Sequence, residues 1–230
     1  MKTLRSGNLM AVFFVVLFLS PLNARADLLN RGTDSLGNQL IYDTDLNVTW
    51  YDYTRVWYSW QDETNWVSSL TVNFNGQNIS GWRLPTTTDG IISWGFDGTT
   101  TGGWNIARSE MGHLFYVELG NKGYYDPAGN YQTGWGLMNK GPFQDLQPYI
   151  YWSGTEYSAD PSIAWQFNFN DGHQYVATKG GIGNYAIAVL PGDVAVAPVP
   201  IPGTLLMLGS GIIGLAGVRN RMKQSMLSLG

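Results

Sequence analysis

Ala164-Trp165-Gln166-Phe167-Asn168-Phe169-Asn170-Asp171-Gly172 alternates along its length. Trp165, Phe167 and Phe169 fall on one face, and Gln166, Asn168 and Asn170 fall on the other. A period of two is the pattern of a β-strand, because successive side chains leave opposite faces. Asp171-Gly172 supplies the turn of a hairpin, whose return strand runs from about Gln174 to Thr178. Tyr185 to Leu190 is an apolar run and reads as a buried final strand.

Working outward, Tyr149 to Ser153 reads as a further strand. Leu40 to Asp43 and Val48 to Tyr51 flank a polar turn and read as a hairpin. Two helices are expected. Ser59-Trp60-Gln61-Asp62 is a helix-start signal, followed by Trp66, Val67 and Leu70 at helical spacing, so a helix spans about Trp60 to Leu70. Ser109 caps the second, with Met111, Leu114, Phe115 and Val117 facing inward and Gly120 just past its end. Gly81 to Thr86 is a compact turn, and Gly-rich loops fill 86–105 and 121–148. The fold class is α+β: antiparallel strands, two short helices and long loops in one domain, residues 27–194.

The two ends read differently. Lys2 and Arg5 precede an uncharged run from Leu9 to Leu19, and Ala24-Arg25-Ala26 forms an A-x-A site. Residues 1–26 thus read as a signal peptide cut after Ala26, which implies secretion machinery and signal peptidase as partners. Residues 195–203 form a Pro-containing linker ending in Val199-Pro200-Ile201-Pro202. Residues 204–230 begin with the uncharged stretch Thr204 to Val218 and continue with Arg219, Arg221 and Lys223. As a helix that stretch rises about 22 Å, short of a hydrocarbon core of about 30 Å. It is expected to insert in the membrane at least transiently, with the basic residues on the cytoplasmic side. Gly209 to Gly214 matches G-x-G-x-x-G, but no strand precedes it and no acidic residue follows at the required distance, so the dinucleotide reading fails.

Composition excludes several functions. The chain has no cysteine, which rules out disulfides, thiol nucleophiles and thiolate metal sites. All seventeen acidic residues lie between Asp27 and Asp193, against seven basic ones, so the domain carries a net charge near −10. Such a surface repels phosphate backbones, and no nucleic-acid partner is expected.

Two family resemblances follow from these segments. The proline-x-proline start, the Leu208-Gly209-Ser210-Gly211-Ile212-Ile213-Gly214-Leu215-Ala216-Gly217 core and the basic stop resemble the PEP-CTERM sorting signal. Val199, Pro200, Pro202, Arg219 and Arg221 carry the match, although Ile201 stands where that family usually has Glu. The resemblance implies an exosortase as partner and a cell-surface or matrix destination alongside exopolysaccharide and biofilm production. Trp82-Arg83-Leu84-Pro85-Thr86, Tyr151-Trp152-Ser153-Gly154-Thr155, Ala164-Trp165 and Asp171-Gly172 resemble the Lcl C-terminal-like domain. That family is related in pattern to the C-type-lectin-like and formylglycine-generating-enzyme folds. It implies a lectin-like α+β fold and, in some members, adhesion to sulfated polysaccharides.

Formylglycine-generating activity needs cysteines and is excluded here. His113 and His173 have no local signature of a hydrolytic triad and read as structural or solvent-exposed. Glu110, Glu118, Glu156 and Asp171 are carboxylates of the type glycosidases pair, with surface solvation as the default. Asp43-Thr44-Asp45-Leu46-Asn47 imitates the start of a calcium loop, yet Val48 and Thr54 occupy its Gly and Glu positions, so it reads as a hairpin turn. Lectin-like domains hold calcium in long acidic loops, and the candidate ligands are Glu156, Asp160 and Asp171. Trp94, Trp104 and Trp135 lie in Gly-rich loops and are the candidate sugar-stacking set; the alternative is that they pin those loops to the core. Trp82, Trp152 and Trp165 read as scaffold. The leading expectation is a non-enzymatic surface or matrix protein that binds polysaccharide. A glycan-acting envelope enzyme and a purely structural matrix component are the alternatives.

Overall fold

Strands that lie far apart in the chain meet in one nine-stranded sheet, seen in a computed structural model that describes residues 27–181 and 183–195. The expected signal peptide, linker and apolar tail lie outside the described residues, and with them Ala24, Ala26, Val199, Pro200, Pro202, Arg219 and Arg221. The first part of the domain holds β1 (Leu28–Thr33), β2 (Gln39–Asp43), β3 (Val48–Tyr58) and α1 (Trp60–Ser69), then the small hairpin of β4 (Val72–Phe74) and β5 (Gln77–Ile79). Two-residue strands β6 (Trp94–Gly95) and β7 (Gly102–Gly103) precede α2 (Glu110–His113), which runs into a π-helical segment at Leu114–Glu118. The last part holds β8 (Ile150–Glu156), β9 (Ile163–Asn168), β10 (His173–Thr178) and β11 (Asn184–Pro191).

The sheet order is β1-β2-β3-β11-β8-β9-β10-β7-β6. Most neighbours are antiparallel; β11 with β8 and β6 with β7 are parallel. The domain is thus mostly β: one large mixed sheet with two short helices. Both faces of its centre are covered. β11 sends Ile187 and Val189 to one face and Ala186 and Ala188 to the other. The first face packs against Met111, Leu114 and Phe115 of the second helix, together with Trp50, Tyr151, Phe167 and Phe169. The other packs against Trp60 and Val67 of α1, with Trp82, Leu84 and Trp152. The two small alanines let α1 approach its strands closely.

Local signals formed the helices as expected. Ser59 accepts a hydrogen bond from the Asp62 backbone N–H, and Ser109 accepts one from Gly112. One orientation differs from expectation. Val117 is exposed and Leu119 is buried in its stead. The cause is the π turn: the Leu119 N–H donates to the Leu114 carbonyl five residues back, which shifts the inward positions. Gln166 is buried as well, taking a hydrogen bond from the Asn184 side-chain amide, because α1 and its neighbours cover that face of β9. The loop expected over 86–105 contains β6 and β7. The turn at 81–86 is tied down by the Arg83–Val189 backbone pair and by a two-pronged Arg83–Glu110 ion pair at 2.6 and 2.7 Å. Trp82, Trp152 and Trp165 are all buried.

Glu63 on α1 has a fully buried side chain, and neither carboxylate oxygen has a hydrogen-bond partner among the described residues. Burial pushes its pKa up to about 7, with Arg55 at 3.7 Å offsetting only part of the cost. A raised carboxylate pKa gives stability that is present below the unfolded value and lost as pH rises through the folded one. Glu63→Gln is therefore expected to gain on the order of 2 kcal/mol relative to the unsubstituted chain between pH 4 and 8. Thermal unfolding across that range checks this, and parallel stability curves would refute it.

Candidate functional site

Pairing register lines up two rows of side chains on one face of the sheet, the face that α1 covers farther along. Gln174 pairs with Gly103, so the adjoining residues His173 and Trp104 stand opposite each other. Their rings stack at 4.1 Å with 6° between planes. His173 in turn pairs with Asn168, and Asn168 with Ile150, which completes the first row. In the second row Tyr175 pairs with Gln166, and Gln166 with Trp152. Gly102 and Trp94 extend that row to the sheet edge. Tyr175 stacks on His173 at 4.6 Å.

Glycine makes this arrangement possible. A Cβ on Gly102 would stand 2.7 Å from the Trp94 ring, so only a bare backbone lets the indole lie across β7. Trp94 reaches to 5.6 Å from His173 and remains 57% exposed. Phe96 stacks on Trp104 at 5.6 Å, and Tyr125 meets Trp104 edge-on at 4.8 Å. Burial pulls the His173 pKa down to about 4, so its ring is neutral at pH 7, and both its faces are taken, one by Trp104 and one by Tyr175.

Beside this platform lies a cleft of about 310 Å³ lined by Pro148, Tyr149, Ile150, Asn168 and Asn170. Ile150 and Asn168 belong to the first row, so cleft and platform open on the same face. The cleft adds two amides and a phenol to a largely apolar surface. Flat rings beside amides suit a ligand with apolar faces and hydroxyl edges.

The structure joins the three candidate tryptophans. Trp94 and Trp104 both contact His173. Trp135 connects more remotely, through Tyr124 at 5.0 Å and Tyr125 at 4.8 Å, and its indole donates to the Tyr131 hydroxyl at 3.3 Å. The candidate calcium ligands are not brought together. Glu156 pairs with Ala164 near the start of β9 and binds Lys179 at 2.6 Å. Asp160 takes both the backbone N–H and the hydroxyl of Ser162 in the preceding turn. Asp171 lies past the opposite end of β9, roughly 20 Å away at strand rise. There it accepts the His173 backbone N–H at 3.0 Å, and burial raises its pKa. Among the described residues, potential ligand atoms converge elsewhere: those of Asp43, His113 and Glu118 lie within 4.8 Å of one another. Of the carboxylates considered for glycoside hydrolysis, Glu110 is held by Arg83 and Glu156 by Lys179.

Sequence reasoning did not select His173, Tyr175, Phe96 or Tyr125. The two-residue spacing of His173 and Tyr175 on a strand was a usable signal. Nothing local pairs Trp104 with His173, because β6 and β7 are two-residue strands fixed by their partners. No family model matches the chain, and no curated protein or solved structure does so either.

Proposed function

We propose that this chain is an exported surface or matrix protein whose β domain binds extracellular polysaccharide without catalysis. The observation that supports binding most strongly is the exposed Trp94 indole, seated on the stacked Trp104, His173 and Tyr175 rings and on the same face as a cleft carrying Asn168 and Asn170. Pyranose rings present apolar C–H faces that stack on such rings, while their hydroxyls take amide partners. The net charge near −10 opposes polyanions, so neutral polysaccharide is the expected class. The signal-peptide pattern and the resemblance of 199–221 to a PEP-CTERM signal support export and sorting by an exosortase. A lectin-like domain of the Lcl C-terminal type is the finer fold reading, carried by the same motifs. The ion pairs that occupy Glu110 and Glu156 favour a binding role over hydrolysis.

The test uses native protein recovered from envelope and medium fractions, with its intact mass measured first. A start at Asp27 and an end near Pro202 are expected. Cytosolic protein retaining Met1 and Gly230 would refute export. In gels cast with neutral polysaccharides the protein should be retarded, and Trp94→Ala should weaken the apparent affinity about 10-fold, or about 1.4 kcal/mol. An exposed side chain is replaced, so folding should persist. Equal retardation of the two proteins, or none in any gel, would refute the binding surface.

A further inference from the structure

Asp43 ends β2 and Asp45 stands in the turn that follows, while His113 ends α2 and Glu118 ends the π turn. These segments meet at the edge of the first core. His113 Nε2 lies 3.3 Å from Glu118 Oε1 and 3.7 Å from Asp45 Oδ2. Asp43 is fully buried. The Glu118 side chain is 1% exposed, yet neither of its oxygens has a hydrogen-bond partner among the described residues, and the same holds for His113 Nε2.

Three carboxylates gathered round one imidazole, two of them buried, favour a compensating positive charge. A protonated His113 supplies too little. Its Nε2 carries one hydrogen, which points at Glu118 or at Asp45 but not at both. Asp43 is already oriented: its Oδ2 accepts from the Trp50 indole at 3.2 Å, and its Oδ1 accepts from the Asp45 and Leu46 backbone N–H groups. Metal-ligating carboxylates are commonly held by such partners.

We propose that Asp43, Asp45, His113 and Glu118 bind one divalent transition-metal ion of the zinc class, which clamps the β2–β3 turn to the π turn. One imidazole nitrogen with carboxylate oxygens suits zinc-like ions at bonds of about 2.0–2.2 Å. The three inner ligand atoms lie within 4.8 Å of one another, and His113 Nε2 and Glu118 Oε1, at 3.3 Å, already have the separation of about 3.3–3.6 Å that tetrahedral coordination sets. Calcium is disfavoured because it requires six to eight oxygens and accepts imidazole poorly. Four protein ligands make the site structural, and the Asp45 side chain, 40% exposed, marks the entry path. The π turn is what aligns the pair: residues five apart diverge on an α-helix but share a face where the repeat is i to i+5.

The full-length chain, stripped with chelator, is titrated with zinc chloride alone by calorimetry and followed by thermal unfolding. One ion per chain is expected at micromolar affinity or tighter, with a Tm rise of roughly 5 °C or more at saturation. Glu118→Gln should weaken binding at least ~100-fold and abolish the rise. Asp45→Asn, at an exposed position that does not threaten folding, should weaken it at least ~10-fold. Saturation by calcium but not zinc, zinc heats unchanged in both variants, or no zinc binding at all would each overturn the assignment.

Discussion

Gly103→Ala is expected to collapse the aromatic platform and to lower Tm by roughly 6–12 °C, or about 3 kcal/mol. Gly103 has φ of +115°, outside the region that an L-residue adopts with ease. A Cβ there would lie 1.9 Å from the Gly95 carbonyl oxygen, which is backbone and cannot swing away. The strand pair β6–β7 must therefore separate, and β6 carries Trp94. Trp104, directly after Gly103, loses its seat against His173 at the same time. Polysaccharide retardation should fall at least as far as in the Trp94 variant, although no contacting side chain has changed. Gly180→Ala is the control, since nothing lies within 4 Å of its added carbon. It should stay within about 0.5 kcal/mol of the parent. Near-ultraviolet circular dichroism and thermal melts read both. An unchanged aromatic spectrum and Tm in the Gly103 variant would show that the platform does not depend on this close approach.

Trp50→Ala is expected to be the most destabilising single change. Trp50 is fully buried and packs edge-on to Phe143 with ring centroids 6.4 Å apart. Truncating a buried tryptophan costs about 3–5 kcal/mol through lost contacts and a residual cavity. Its indole N–H also donates to the buried carboxylate of Asp43, and removing a hydrogen bond to a charged group adds roughly 1.5–3 kcal/mol. The total rivals the whole stability of a typical domain, about 5–15 kcal/mol. The variant should be unfolded, or melt more than about 10 °C lower. Trp50→Phe separates the two effects, because it keeps most of the ring and loses only the donor. A Phe variant as damaged as the Ala variant would mean that the hydrogen bond dominates the packing.

The elements legible in the sequence are those whose signals are local. The Asp171-Gly172 hairpin, the Ser59 and Ser109 caps and the β2–β3 hairpin each declare themselves within a few residues. What was hidden depends on partners far along the chain. β1, β4 and β5 have no strong alternation of their own. β6 and β7 are two residues each and exist only because β10 pairs beside them. Val117 was misplaced because a π turn leaves no mark that periodicity can detect, and the same turn hid the approach of His113 to Glu118. The burial of Gln166 was not legible, because alternation reports two faces without saying that α1 buries the second. For the site, the tryptophans in Gly-rich loops were visible as a set, but His173, their common neighbour, was visible only as an isolated residue. Glu156, Asp160 and Asp171 looked close in the sequence, and a strand running between them carried them to opposite ends.

The strand that completes the centre of the sheet is the last one made. β11 lies between β3 and β8 and pairs Leu190 with Thr49. Without residues 184–191, the edges of β3 and β8 that β11 joins lack their partner strand. Closure requires a contact of very long sequence separation, which makes folding slow and late. The hydrophobic interior therefore closes only once residues 184–191 are free to pair, and a chain short of them remains threadable. The same interval is a hazard, since two open apolar edges are templates for pairing between molecules. Strand order alone thus postpones folding until the domain's entire length is free, whichever side of a membrane it then occupies.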